Sequence, residues 1–167
     1  LGLHENEVEL LRRVGPVNKN SAAVLIGGNM VMVTEWKDSV SAILMAFYPG
    51  QEGGTALAEI LFGDVNPSGK LPFVLPCREE DLPRVNWDTT NQYYEYYHGY
   101  ARLEKNGVQP LLPYGFGLSY TRFDVENPRF SADGDAVKAA CTVKNTGERA
   151  GTEVIQLYAG FKNSALD

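Results

Sequence analysis

Tyr93-Tyr94-Glu95-Tyr96-Tyr97-His98-Gly99-Tyr100 gathers five tyrosines and a histidine around a single carboxylate. Aromatic faces stack on the apolar faces of pyranose rings, while phenol hydroxyls hydrogen-bond the ring edges. Tyr96, Tyr97 and Tyr100 therefore suit a sugar subsite, or equally a packed domain interface. His98 could donate to a ligand hydroxyl, although a lone histidine is more often structural. Glu95 is either a functional carboxylate or simply a charge on an aromatic-rich loop. A second carboxylate, Glu52, stands next to Gln51 and follows Pro49-Gly50. That turn ends an apolar run that reads as a strand, and open α/β sheets present their ligand loops at the carboxyl ends of strands. The flanking glycines let backbone approach a ligand closely. The competing reading of Glu52 is a carboxylate favoured by the positive end of the following helix.

Other chemistries find little support. Cys77 and Cys141 form no disulfide framework, and no Cys/His spacing suits zinc. Gly115-Phe116-Gly117 lacks the third glycine and following helix of a dinucleotide fingerprint. Metals and cofactors are therefore not expected. The 15 basic residues are scattered in a chain of net charge −6, so no clustered basic face points to nucleic acid. The apolar run around Ala42 to Phe47 is far short of the roughly 20 residues that span a bilayer, and no membrane partner is expected. No charged-then-apolar leader precedes the first helix. The compartment stays open, with a lean to the cytoplasm, and so does the oligomeric state.

The elements that must position these residues alternate in type. Glu5 to Val17 reads as a helix with Val8, Leu10, Leu11 and Val14 on or beside one stripe. Ala22 to Ile26 and Ala42 to Tyr48 read as strands buried on both faces. Thr55 to Phe62 reads as a helix capped by Gly63. Trp36 is expected in the core. Strand, glycine turn, helix, strand is the grammar of an open α/β sheet. Leu71, Phe73 and Leu75 alternate around Pro72 and predict an edge strand. From Cys77 to about Gln109 regular patterning fails, which suggests a functional stretch or one held against a partner surface.

The last third changes character. Val137, Ala139, Cys141 and Val143 alternate with wetter residues, predicting a strand with Cys141 buried. Thr152 to Ala159 and Phe123 to Phe130 read as further strands. Together they suggest the opening of a β-sandwich, which needs about seven strands, so the chain is expected to stop inside a domain.

Four segments, in order and spacing, resemble glycoside hydrolase family 3 enzymes of the β-glucosidase type. They are Tyr48-Pro49-Gly50-Gln51-Glu52-Gly53-Gly54 running on to Asn66-Pro67-Ser68-Gly69-Lys70-Leu71-Pro72; His98-Gly99-Tyr100; Pro113-Tyr114-Gly115-Phe116-Gly117-Leu118-Ser119-Tyr120-Thr121; and Val143-Lys144-Asn145-Thr146-Gly147 with Ala150-Gly151-Thr152-Glu153-Val154-Ile155-Gln156-Leu157-Tyr158. The resemblance implies an α/β sandwich domain over residues 1–120 and the start of a fibronectin type III-like domain over 121–167. It also implies a barrel domain, absent here, that bears an aspartate nucleophile and is the partner of this chain. The implied substrate is a carbohydrate, cleaved by retaining exo-hydrolysis of terminal β-glucosides.

For the acid/base the resemblance offers alternatives. Some two-domain members carry it at the position of Glu52. Many three-domain members carry it five residues before the glycine of a Val-Gly-Tyr-Arg stretch. Here that place holds Tyr94, with Glu95 one residue late, and Ala101 stands where the family has arginine. Other members place it on a loop ahead of the opening helix. Gln51, Tyr96, Tyr97, His98 and Tyr100 are the accompanying substrate-binding candidates. A non-catalytic carbohydrate-binding or scaffolding module is the alternative function. A nucleotide-binding module would rest on the α/β grammar alone, and fold does not decide function.

Overall fold

The computed structural model describes residues 1–86, 88–134 and 136–160. The chain divides into two compact units. The first holds Leu1–Val65 and Leu71–Phe116, and the second holds Asn66–Lys70 with the chain from Gly117 onward. The architecture is mixed α/β: a small parallel sheet with helices, and a separate antiparallel pair of strands.

Helix α1 (Glu5–Val14) carries Glu5 and Glu7 in its first turn and Arg12 and Arg13 in its last, the arrangement that complements the helix dipole. The His4 backbone N–H donates to Glu7 Oε2 at 2.8 Å, satisfying a donor just outside the helix. The helix stops three residues before the expected Val17. Gly15–Val17 tighten into a 3₁₀ turn around Pro16, which has no N–H to continue the ladder. Gly15 is required there, because a Cβ would lie 2.1 Å from the Ser39 carbonyl oxygen. The buried face is narrower than the apolar stripe: Val8 is buried and Leu11 packs beside it, but Leu10 and Val14 are exposed.

Strands β1 (Ala22–Ile26) and β2 (Ala42–Phe47) pair in parallel from Ala22↔Ala42 to Ile26↔Phe47. Their connection brings Trp36 into the core, 1% exposed, against Val8, Ala23, Val33 and Leu75. Helix α2 (Gly53–Phe62) begins two residues ahead of the expected Thr55 and ends on Gly63 at φ 84°, the left-handed cap that glycine favours.

Two expectations for this unit need correction. Leu71–Leu75 is not an edge strand. Its backbone instead meets residues 112–116: Leu75 and Leu112 form an isolated antiparallel bridge, and Leu71 exchanges hydrogen bonds with Gly115 and Phe116. Pro72 interrupts the donors a longer ladder would need. The stretch after Cys77 is not wholly irregular either. It contains helix α3 (Gly99–Lys105), which projects Leu103 into the interior at 2% exposure.

In the second unit, β3 (Phe123–Asp133) and β4 (Ala136–Asn145) pair antiparallel, with a bulge between Glu126 and Arg129. Asn127 takes φ 51° and Pro128 has no N–H to give, so the ladder breaks there. Both faces of β4 are exposed, Cys141 included, contrary to the buried thiol that alternation predicts. Alternation marks two faces but does not say whether either is covered. Residues 152–159 adopt no strand, a second correction, as they join neither β3 nor β4 in a ladder.

Polar contacts from the Asn66–Lys70 turn hold this unit together. Asn66 Oδ1 accepts from Ser119 Oγ at 2.9 Å and from the Tyr120 N–H at 2.8 Å, while its Nδ2 donates to the Ala150 carbonyl at 2.9 Å. Lys70 Nζ donates to the Gly117 carbonyl and pairs with Glu153, both at 2.8 Å.

Lys70, together with the Val154 N–H, draws the Glu153 carboxyl below the ordinary glutamate range. A depressed carboxyl contributes stability above its unfolded pKa, about 4.3, and loses it as pH falls through the lower folded value. Lys70→Met should therefore cost about 1–3 kcal/mol near neutrality, with the gap to the parent narrowing in acid. Thermal melts across pH 2–7 would check this, and a pH-independent gap would contradict the ion-pair account. Leu103→Ala should cost about 2–4 kcal/mol by leaving a cavity, and should speed proteolytic cleavage in residues 93–98. Unchanged cleavage there would mean that α3 does not hold the loop.

Candidate functional site

The parallel pairing of β1 and β2 sets both carboxyl ends on the same edge of the sheet. From that edge leave Gly27-Gly28 and the loop Tyr48–Glu52, and the Gly27 N–H donates to the Phe47 carbonyl at 3.0 Å where they separate. The register skips Ala46 at this point, leaving a bulge, and Phe47 takes φ 52°. Positive φ is strained for an aromatic residue and persists only where its surroundings hold it. The Phe47 ring is edge-on to Phe73, centroids 6.3 Å apart. Gly50 completes the turn at φ 70°, and Gly53 packs so closely under Pro49 that a Cβ would lie 2.8 Å from the proline ring.

Gln51 and Glu52 are exposed at the tip of this loop. Glu52 directly precedes α2 but makes no side-chain cap to its backbone; its Oε2 accepts from Thr55 Oγ1 at 3.4 Å. Glu52 is thus the N-cap residue of α2, at the positive end of the helix where the structural reading puts it, and its exposed carboxylate is also open to a ligand.

The second cluster is organised by α3. Leu103 anchors the helix, and the two cations flanking it, Arg102 and Lys105, reach back over the tyrosine loop. Arg102 Nε donates to the Asp81 carbonyl at 3.4 Å, while its Nη1 lies 3.8 Å from Glu95 Oε2. Lys105 Nζ sits 3.8 Å from the centroid of the Tyr97 ring, a cation–π contact. Tyr97 is edge-on to Tyr96 at 5.1 Å, and His98 Nδ1 is 3.1 Å from the Tyr96 carbonyl. Tyr100 packs against Tyr114 with centroids 5.5 Å apart. The Glu95 side chain is 74% exposed, so its ion pair contributes little energy. What the contact supplies is direction.

The structure therefore gathers the expected residues into two groups. Gln51 and Glu52 share one loop; Glu95, Tyr96, Tyr97 and His98 share another, with Tyr100 following in the first turn of α3. Sequence reading assigned no role to Lys105 or to Arg102 as the partner of Glu95. The signal was present: helix-forming Ala101–Lys105 is followed by Asn106-Gly107, a stop, and places the two cations three residues apart, on one face. A groove of about 390 Å³ elsewhere in the first unit is lined by Leu3, Val8, Met32, Thr34, Trp36 and Cys77, among others, and by none of the expected site residues.

Comparison with known proteins gives this geometry its context. Residues 1–120 match the family model described as the glycosyl hydrolase family 3 C-terminal domain. The chain is 41% identical to β-glucosidase BoGH3A of Bacteroides ovatus, over 95% of this chain and 23% of the relative. It is 36% identical to thermostable β-glucosidase B of Acetivibrio thermocellus, over 99% of this chain and 23% of that one. Among solved structures, β-glucosidase 3B of Thermotoga neapolitana in complex with α-D-glucose superposes with a TM-score of 0.82 at 33% identity, covering 90% of this chain and 23% of the other. DesR, a β-glucosidase from Streptomyces venezuelae in complex with D-glucose, gives 0.78 at 36% identity, covering 90% and 20%. The chain thus spans under a quarter of each of these proteins. With most of its length matched by the family model, the chain belongs to glycoside hydrolase family 3, in the C-terminal domain of that family.

Proposed function

We propose that this chain is part of a retaining, exo-acting glycosidase that cleaves terminal β-glucosides, and that its two exposed loops form one wall of the sugar pocket. The observation that carries the reading is the arrangement around Glu95: an open carboxylate flanked by tyrosines, held by a helix whose anchor is buried. Relatives named β-glucosidases, and similar structures holding glucose, support the substrate class.

In this reading residues 1–120 form the α/β sandwich domain and 121–167 begin a fibronectin type III-like domain; residues 161–167 lie outside the described residues. The attacking carboxylate comes from a barrel domain elsewhere in the intact enzyme. Glu95 is the acid/base. It gives a proton to the glycosidic oxygen as the nucleophile attacks the anomeric carbon, and then, as a carboxylate, takes a proton from the water that releases the sugar. Such chemistry sets the two carboxyls about 5–5.5 Å apart. Tyr96, Tyr97, His98, Tyr100 and Gln51 contact the sugar. Glu52, on the other loop, is the alternative acid/base.

The two glutamates are separated by leaving-group dependence. In the intact enzyme, Glu95→Gln should lower kcat/KM for cellobiose by about 10²–10⁴-fold, and much less for a dinitrophenyl β-glucoside, whose leaving group needs no proton. Glu52→Gln should then show no such selectivity. If only Glu52→Gln shows it, the acid/base is Glu52; if neither does, both assignments fail.

A further inference from the structure

We infer that Tyr48, on the loop that carries Gln51 and Glu52, is an aromatic platform for the apolar face of a sugar ring. The inference rests on the glycosidase reading above and adds a binding residue to it. Three observations meet at this side chain. First, the ring is 79% exposed, although it stands directly at the end of a β-strand. Second, the backbone that aims it is doubly irregular. The β1–β2 register skips Ala46, and Phe47, immediately before Tyr48, holds φ 52°. A bulge re-aims the side chains that follow it and is uncommon in a parallel pair. Strain of this kind needs a reason to persist. Third, the ring edge is seated on Gly28, two residues beyond the end of the neighbouring strand β1. A Cβ on Gly28 would lie 2.4 Å from Tyr48 Cε2 and 2.9 Å from both Cζ and the hydroxyl oxygen. Gly28 does not take a left-handed φ, and the three atoms nearest to such a Cβ all belong to Tyr48. A Cβ at this position would therefore push the Tyr48 ring aside, and the turn itself places no demand for glycine.

Together these features fix one edge of the phenol against backbone and leave the rest of the ring open, at the sheet edge where open α/β folds bind ligands. An amphipathic ring already seated along one edge loses less entropy when a partner stacks on it than a fully free one. The chemistry it fits is the C–H face of a pyranose, with the hydroxyl able to reach a sugar oxygen.

The test uses the intact enzyme and four variants. Tyr48→Ala should raise KM for cellobiose, and the inhibition constant for glucose, by about 5–10-fold, with a smaller change in kcat. Tyr48→Phe, which keeps the face, should recover most of that loss. Gly28→Ala should resemble Tyr48→Ala, because it displaces the ring. In the double variant, Gly28→Ala should add nothing further. Unchanged KM and glucose inhibition in Tyr48→Ala would overturn the inference. So would a lowered melting temperature with unchanged KM, which would make the ring a packing surface for another part of the enzyme. A parent enzyme that neither cleaves β-glucosides nor binds glucose would instead refute the glycosidase reading, and this inference with it.

Discussion

The end of β2 is where the geometry of this domain is decided. A regular parallel pair would carry β1 and β2 on in step, and the loop would leave at an angle set by strand twist alone. Instead the ladder slips by one residue at Ala46 and Phe47 turns into the left-handed region. Three contacts hold that turn: the Phe47 ring edge-on to Phe73, Tyr48 on Gly28, and Pro49 over Gly53. Gly53 allows Pro49 an approach that a Cβ would forbid, and at Gly28 a Cβ would push the Tyr48 ring aside. The strained residue is thus held by its neighbours, and Gln51 and Glu52 are presented at the tip, Glu52 at the N-cap position of α2 with no side-chain cap to its backbone.

The second loop is positioned by different means. Leu103 is nearly inaccessible and fixes α3, and the charged groups then act from a rigid base. Neither the Arg102–Glu95 pair nor the Lys105–Tyr97 contact is strong at such exposure. Their value is directional, because each joins a long side chain on a fixed helix to one particular group in an otherwise irregular loop. Arg102 is itself tethered at the Asp81 carbonyl, which leaves one nitrogen directed at the carboxylate.

The second unit is held by polar contacts more than by a core. Asn66 uses both ends of its amide on three separate backbone and side-chain groups, and Lys70 joins a carbonyl and a carboxylate at equal distance. Among its described residues only Thr121 is buried. The β3–β4 ladder supplies backbone pairing while leaving its apolar side chains, Val125, Phe130, Val137 and Val143, in contact with solvent.

Local signals in the sequence determined a good deal. Apolar runs bounded by glycine and proline located β1, β2 and α2, because chain reversal leaves a compositional mark, although the two strands are not buried on both faces as expected: of their residues only Ala23 is buried. Gly63 marked the helix end, since only a residue without Cβ adopts that conformation cheaply, and Trp36 was legible as core from its bulk. The motif resemblance pointed to family 3 over nearly the whole chain. Tertiary structure decided what depends on partners distant in sequence. Leu71–Leu75 alternates like a strand, yet it meets residues 112–116 instead of extending the sheet; Cys141 alternates like a core residue, yet no layer covers it. The turn residues Asn66–Lys70 belong with a unit that begins some fifty positions later. The same holds for the pairing of Arg102 with Glu95 and the seating of Tyr48 on Gly28. Periodicity encodes which side of an element a residue occupies, but not which surface, if any, arrives to meet it.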